Sequence, residues 1–126
     1  MAGERLIADT TFAIDLRERK QLIGAIGLTI DWKLSKGEIG YWIGRPHWNL
    51  GYATEATAAA LDYGFSDLEL NRISAKHLAR NPSSGRVMEK AGMLLEGTAR
   101  QDTIKWGKYE DLVSYGILRE NWRGWK

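Results

Sequence analysis

Residues Trp48-Asn49-Leu50-Gly51-Tyr52-Ala53-Thr54-Glu55-Ala56 have types and an order suited to holding an anion. The first backbone N–H groups of a helix lack internal partners and sit at the positive end of its dipole, so they attract phosphate oxygens wherever small side chains allow close approach. Gly51 and Ala53 supply that closeness. Ile39, Tyr41, Trp42 and Ile43 precede the turn and Ala56, Ala58, Ala59, Ala60 and Leu61 follow it, which reads as strand, turn and helix in order. Glu55 favours a helix start but would repel phosphate, so it is expected to point away from the ligand. Asn49 is a competent N-cap in its own right, and Trp48 reads as a packing residue at the base of the loop.

Positioning this turn requires a sheet and at least one crossover. Thr10 to Leu16 and Gln21 to Ile30, rich in Ile, Leu, Thr and Phe and separated by Arg17-Glu18-Arg19-Lys20, predict an antiparallel hairpin. Glu38 to Gly44 predicts a third strand, and Gly51 to Phe65 a helix with Ala56, Ala59, Ala60 and Tyr63 at helical spacing. Asn71 to Leu78 alternates as the next strand, so the intervening helix predicts a parallel crossover. Asn81-Pro82-Ser83-Ser84 predicts a second helix with Asn81 as N-cap and Pro82 at its first position, ended by Gly92 after Lys90. Met93 to Thr98 and Asp111 to Leu118 predict the closing strands, joined across Gln101 to Glu110 with a turn at Trp106-Gly107-Lys108. The fold class is therefore α+β, a mixed and mostly antiparallel sheet flanked by helices.

A chain of 126 residues with 44% hydrophobic and 27% charged residues predicts one domain, 1–126, with a core of its own. No cysteine is present, which excludes disulfides, thiolate zinc sites and a cysteine nucleophile. His47 and His77 are the only histidines and fall on different elements, so no metal site is expected. Lys and Arg outnumber Asp and Glu by 18 to 16, too small an excess for a dedicated nucleic-acid surface despite a pI of about 8.9. No secretory h-region and no stretch of roughly 18 apolar residues is seen, so the expected partners include no membrane and the expected location is cytoplasmic.

Four stretches resemble the GNAT acetyltransferases, in particular the branch that includes the ribosomal-protein N-terminal acetyltransferases. They are Glu38 to Ile43, Trp48 to Ala56, Asn81 to Met93, and Asp111 to Tyr115 with Trp122, in register over most of the chain. The resemblance implies an N-acetyltransferase that moves an acetyl group from acetyl-CoA to a primary amine by direct transfer. In the family the turn matching Asn49, Leu50, Gly51, Tyr52, Ala53 and Thr54 grips the pyrophosphate through main-chain N–H groups. The strand matching Tyr41 to Gly44 diverges from that matching Ile73 to Leu78, the pantetheine arm lies in the gap, and a backbone N–H near Trp42 or Ile43 polarises the thioester carbonyl. The residues matching Asn81 and Ser84 face the cofactor arm.

An α-amino group with a pKa of about 8 is an easier acceptor than lysine at about 10.4. Glu38 is the candidate base. Relatives carry a tyrosine general acid where this chain has Met88, so Tyr115, Ser84 or water must protonate the leaving thiolate. A strand and two helices that usually precede the hairpin in the family have no counterpart here, and they form much of the acceptor site. Their absence would leave the Thr10 to Leu16 strand as an apolar edge, which with six Trp residues predicts a homodimer joined there. The alternative is a non-catalytic acyl-CoA-binding protein.

Overall fold

The computed structural model describes the backbone of residues 7–16, 21–43 and 51–124, and the side chains of residues 26–40 and 51–124. Ile7–Leu16 (β1) and Gln21–Asp31 (β2) form the expected antiparallel hairpin, with Thr10 opposite Leu28 and a register shift between Ile14 and Asp15. The connection to Lys36–Ile43 (β3) is held by the Asp31 carboxylate, whose Oδ1 accepts from the amides of Lys33 and Leu34 at 3.1 and 3.2 Å.

Tyr52–Asp62 (α1) follows, ending in a π-helical turn over Tyr63–Asp67 where the Leu68 amide donates to the Tyr63 carbonyl. The predicted helix to Phe65 thus changes hydrogen-bond pattern in its last turn. Arg72–Leu78 (β4) runs parallel to β3, as the crossover requires. Pro82–Lys90 (α2) starts with proline at its first position, where no backbone donor is lost. It ends with the amides of Gly92 and Met93 bonded back to the carbonyls of Glu89 and Met88, which satisfies two of its orphan acceptors.

Leu94–Lys105 (β5) and Lys108–Leu118 (β6) form a hairpin around Trp106 and Gly107, both at positive φ. Both strands are longer than their sequence predicts. Residues between Gln101 and Glu110 read as loop because β5 lies at the sheet edge, exposed on both faces and without hydrophobic alternation. Two irregularities, between Leu95 and Gly97 and between Ala99 and Thr103, further break its pattern.

The sheet has six strands in the order β1-β2-β3-β4-β6-β5 and is antiparallel except for the β3–β4 pair. β1 lies at the other edge, where the sequence places it. Register puts Ile26, Leu28, Ile39, Ile73, Ala75, Tyr115 and Ile117 on one face, where they pack with Leu61, Phe65 and Met88 of the helical layer. Burying such side chains contributes about 1.5–3 kcal/mol each. The opposite face carries Glu38, Ser74, Lys76 and Gly116 at alternate positions.

Candidate functional site

β3 and β4 are in register only from Lys36 opposite Arg72 to Ile39 opposite Ala75. Beyond that point Gly40 to Ile43 stay paired with β2, and Lys76 to Leu78 with β6, so the facing edges of β3 and β4 diverge. Each edge carries backbone donors and acceptors outside the ladder. A slot of this kind accepts an extended, amide-bearing arm in the manner of an added strand. The backbones of Trp42 and Ile43 form its β3 wall, at the place the resemblance assigns to carbonyl polarisation. Gly44, Trp48, Asn49 and Leu50 lie outside the described residues.

α1 follows β3 in the chain and packs against β3 and β2. Its N-cap is Gly51, not Asn49, in a left-handed conformation at φ 86 that glycine adopts without strain. Gly51 makes no side-chain cap bond, and its carbonyl accepts from Glu55 N–H at 3.0 Å. Amides at a helix N-terminus with Ala53 in the first turn fit a phosphate group. Tyr52 and Ala53 are half-buried, Thr54 is buried, and Glu55 is exposed as expected.

Asn81 occupies the N-cap position of α2 but makes no side-chain cap bond. Its amide donates instead to Ser84 Oγ at 3.2 Å, and its carbonyl oxygen accepts from Ser83 Oγ–H at 2.9 Å. The expected capping role is therefore replaced by a small polar cluster of Asn81, Ser83 and Ser84. That cluster sits where β4 ends, so Asn81 and Ser84 are held together at the same end of the sheet as the slot's mouth.

Glu38 and Tyr115 fall on opposite faces. Glu38 pairs in register with Ser74 and hence Gly116, whereas Ile39 pairs with Ala75 and hence Tyr115. Glu38 is exposed, with Lys76 Nζ 3.9 Å from its Oε1. Tyr115 is buried beneath α2, its hydroxyl donating to Glu89 Oε2 at 3.0 Å and its ring stacked on His77 at 5.8 Å. Burial first, then the hydrogen bond and charge of Glu89, raise the Tyr115 phenol above its ordinary pKa. Gly85 leaves room for this arrangement, since a Cβ there would lie 2.9 Å from His77 Nε2 and 3.0 Å from Tyr115 Oη. His77 donates Nδ1–H to the Leu78 carbonyl at 2.7 Å, and its Nε2 is buried with no hydrogen-bond partner among the described residues. Met88, at the position of the missing tyrosine, is a buried core residue.

Lys76, Glu89 and His77 were not singled out by sequence. Strand alternation from Ser74 places Lys76 on the Glu38 face, and the four-residue spacing from Gly85 places Glu89 over Tyr115, but both signals require the pairing of β3 with β4 and of β4 with β6. On the open face, Arg72 makes a two-pronged hydrogen bond to Glu96. Among the described residues no group of three or more His, Asp or Glu could hold a metal ion, and no helix is long and apolar enough to cross a membrane.

Residues 3–94 match the family model described as an acetyltransferase (GNAT) domain. The uncharacterized N-acetyltransferase p20 of Bacillus licheniformis is 35% identical over 90% of this chain and 64% of its own length. The putative ribosomal N-acetyltransferase YdaF of Bacillus subtilis is 39% identical over 83% of this chain and 58% of its own. A mutant of the spermidine N-acetyltransferase SpeG from Vibrio cholerae superposes with a TM-score of 0.82 at 28% identity, covering 90% of this chain and 67% of that one. The chain thus spans 64% and 58% of the length of these two curated relatives.

Proposed function

The chain belongs to the GNAT acetyltransferase family, and on that premise we propose that it transfers an acetyl group from acetyl-CoA to a primary amine, of a protein N-terminus or a small molecule, by direct transfer. The observation that carries this reading is the divergence of β3 and β4 after Ile39 and Ala75, together with the glycine-capped start of α1. Relatives named ribosomal and spermidine N-acetyltransferases favour peptide and aliphatic amines as acceptors.

Acetyl-CoA supplies an acyl group already activated as a thioester. In this reading the first-turn amides of α1, with Asn49 to Thr54, bind its pyrophosphate, and Asn81 and Ser84 line its arm. The strand edge at Trp42, Ile43 and Gly44 aligns the arm, and an amide there stabilises negative charge developing on the carbonyl oxygen. Glu38, directly or through a water, takes the proton from the acceptor ammonium, so that the amine nitrogen forms its bond to the acetyl carbon as the C–S bond breaks. Tyr115 is the proposed proton source for the departing thiolate, and the second proton lost by the amide nitrogen passes to solvent, from which the phenol is restored. Because Glu38 and Tyr115 lie on opposite faces, acceptor and proton donor approach the slot from opposite sides of the sheet.

We also propose that the protein is cytoplasmic and forms a homodimer through the β1 edge, which no strand covers among the described residues. A second reading, an acyl-CoA-binding protein without turnover, is favoured by one observation: the buried Met88 cannot donate a proton. Incubation with acetyl-CoA and a panel of amines and short peptides, followed by assay of free thiol, separates the two. Amine-dependent thiol release is the expected result. CoA binding without release on any acceptor supports the second reading, and no binding at millimolar CoA overturns both.

A further inference from the structure

Lys76 is the first residue of β4 beyond its last register pair with β3, Ala75 with Ile39. It therefore stands at the closed end of the slot, on the open face of the sheet, with its ammonium 3.9 Å from the Glu38 carboxylate. Both side chains are close to half exposed, at 44% and 49%. An exposed pair at this separation is weak and exchangeable, so a second cation can take the place of Lys76 at Glu38. Arg72, on the same face of β4, is already committed to Glu96 through two parallel hydrogen bonds. Arg72 is thus neutralised by its own partner, whereas Lys76 has only a loose one.

We propose that Lys76 determines which amines are accepted, by filling the Glu38 carboxylate until a singly charged amine displaces it and by repelling acceptors that carry further positive charge. This rests on the acetyl-transfer reading above. An acceptor ammonium that reaches Glu38 puts two cations beside one carboxylate. The crowding favours loss of a proton from the incoming amine, which is the form needed for attack. A linear polyamine gains the same contact but sets its remaining charges against the displaced Lys76. Lys76 is on this view a positioning and specificity residue, with Glu38 as the group that touches the acceptor.

The test compares kcat/KM for a linear triamine and for an uncharged tripeptide with a free N-terminus, in wild type, Lys76→Arg, Lys76→Gln and Lys76→Glu. The triamine-to-peptide ratio is expected to rise about tenfold in Lys76→Gln and further in Lys76→Glu, through KM more than kcat, and to stay at the wild-type value in Lys76→Arg. High salt should compress the differences. A ratio constant within about twofold across active variants overturns the inference. Calorimetric binding of the triamine to CoA-loaded wild type and Lys76→Glu gives a second readout independent of turnover. If every protein binds CoA but none releases thiol, the acetyl-transfer reading fails, and the Lys76 inference then stands on tighter triamine binding by Lys76→Glu or falls on equal binding.

Discussion

Arg72 and Glu96 join β4 to β5 across β6, with their paired side chains lying over the bare backbone of Gly116. Arg72 Nη1 donates to Glu96 Oε2 at 2.7 Å, and Nη2 donates to the second oxygen. A Cβ at Gly116 would lie 2.5 Å from Glu96 Oε2 and 2.7 Å from Arg72 Nη1. Gly116→Ala is relieved when the flexible ends of both side chains swing aside, so it is expected to break the pair and cost about 1 kcal/mol or less. Glu96→Gln removes only a partly exposed ion pair, worth about 1 kcal/mol or less. Similar small losses in urea denaturation are expected for the two variants, and a much larger loss in Gly116→Ala would contradict this.

The same pair gives a pH dependence of known sign. The Arg72 hydrogen bond, and to a lesser degree its charge, holds the Glu96 carboxyl below its ordinary value of 4.5. A group whose pKa is lowered by folding stabilises fully above its unfolded pKa and ceases to do so as pH falls through the folded one. The stability gap between wild type and Glu96→Gln should thus be constant from neutral pH down to the ordinary carboxylate range and close below it. A gap that widens on acidification would contradict the assignment.

Tyr115 has the opposite linkage. Its pKa is raised by burial beneath α2 and by Glu89, so its contribution is complete below the ordinary value of 10.0 and is lost as pH rises through the higher folded value. Tyr115→Phe should remove this alkaline loss and, if the phenol supplies the thiolate's proton, lower turnover by about 10²-fold or more with CoA affinity intact. Glu38→Gln should lower turnover by a similar factor, about 10²-fold, with CoA affinity intact. Unchanged turnover in Glu38→Gln would assign the base elsewhere.

Ala53→Asp tests the phosphate end of the site. It places a carboxylate in the first turn of α1, where a helix without ligand gains from negative charge while a bound pyrophosphate is repelled. CoA binding measured by calorimetry should weaken at least about tenfold with the melting temperature held or raised. Unchanged affinity would mean that the phosphates lie elsewhere.

Gly85→Ala probes the packing of α2. The added methyl meets His77 Nε2 and Tyr115 Oη at 2.9 and 3.0 Å, and neither ring has a flexible end to yield. A loss of about 1–3 kcal/mol is expected by chemical denaturation, with disturbed Tyr115 absorbance.

Those contacts mark what was legible in the sequence. Alternation in Arg72–Leu78, proline at the start of α2 and Gly92 at its end are local signals, and each element appears where they place it. β5 extends beyond its sequence signal because an edge strand exposed on both faces needs no alternating pattern. Asn81 has the residue type of an N-cap, but two neighbouring hydroxyls take both ends of its side chain. The glycine turn of the site was legible because helix-end chemistry is carried by consecutive residues. The Arg72–Glu96 and Glu38–Lys76 pairs were not, since residues 24 and 38 positions apart meet only through strand order.

Two three-stranded ribbons, β1-β2-β3 and β4-β6-β5, are stitched by a ladder only four residues long, from Lys36 to Ile39 against Arg72 to Ala75, and by the helices laid across one side. A ligand arm hydrogen-bonded to both free edges would extend that seam, so the donor substrate would act as mortar between the ribbons. Hydrogen exchange at the amides of Gly40 to Ile43 and Lys76 to Leu78 should then slow on CoA binding far more than in the centres of β2 and β6.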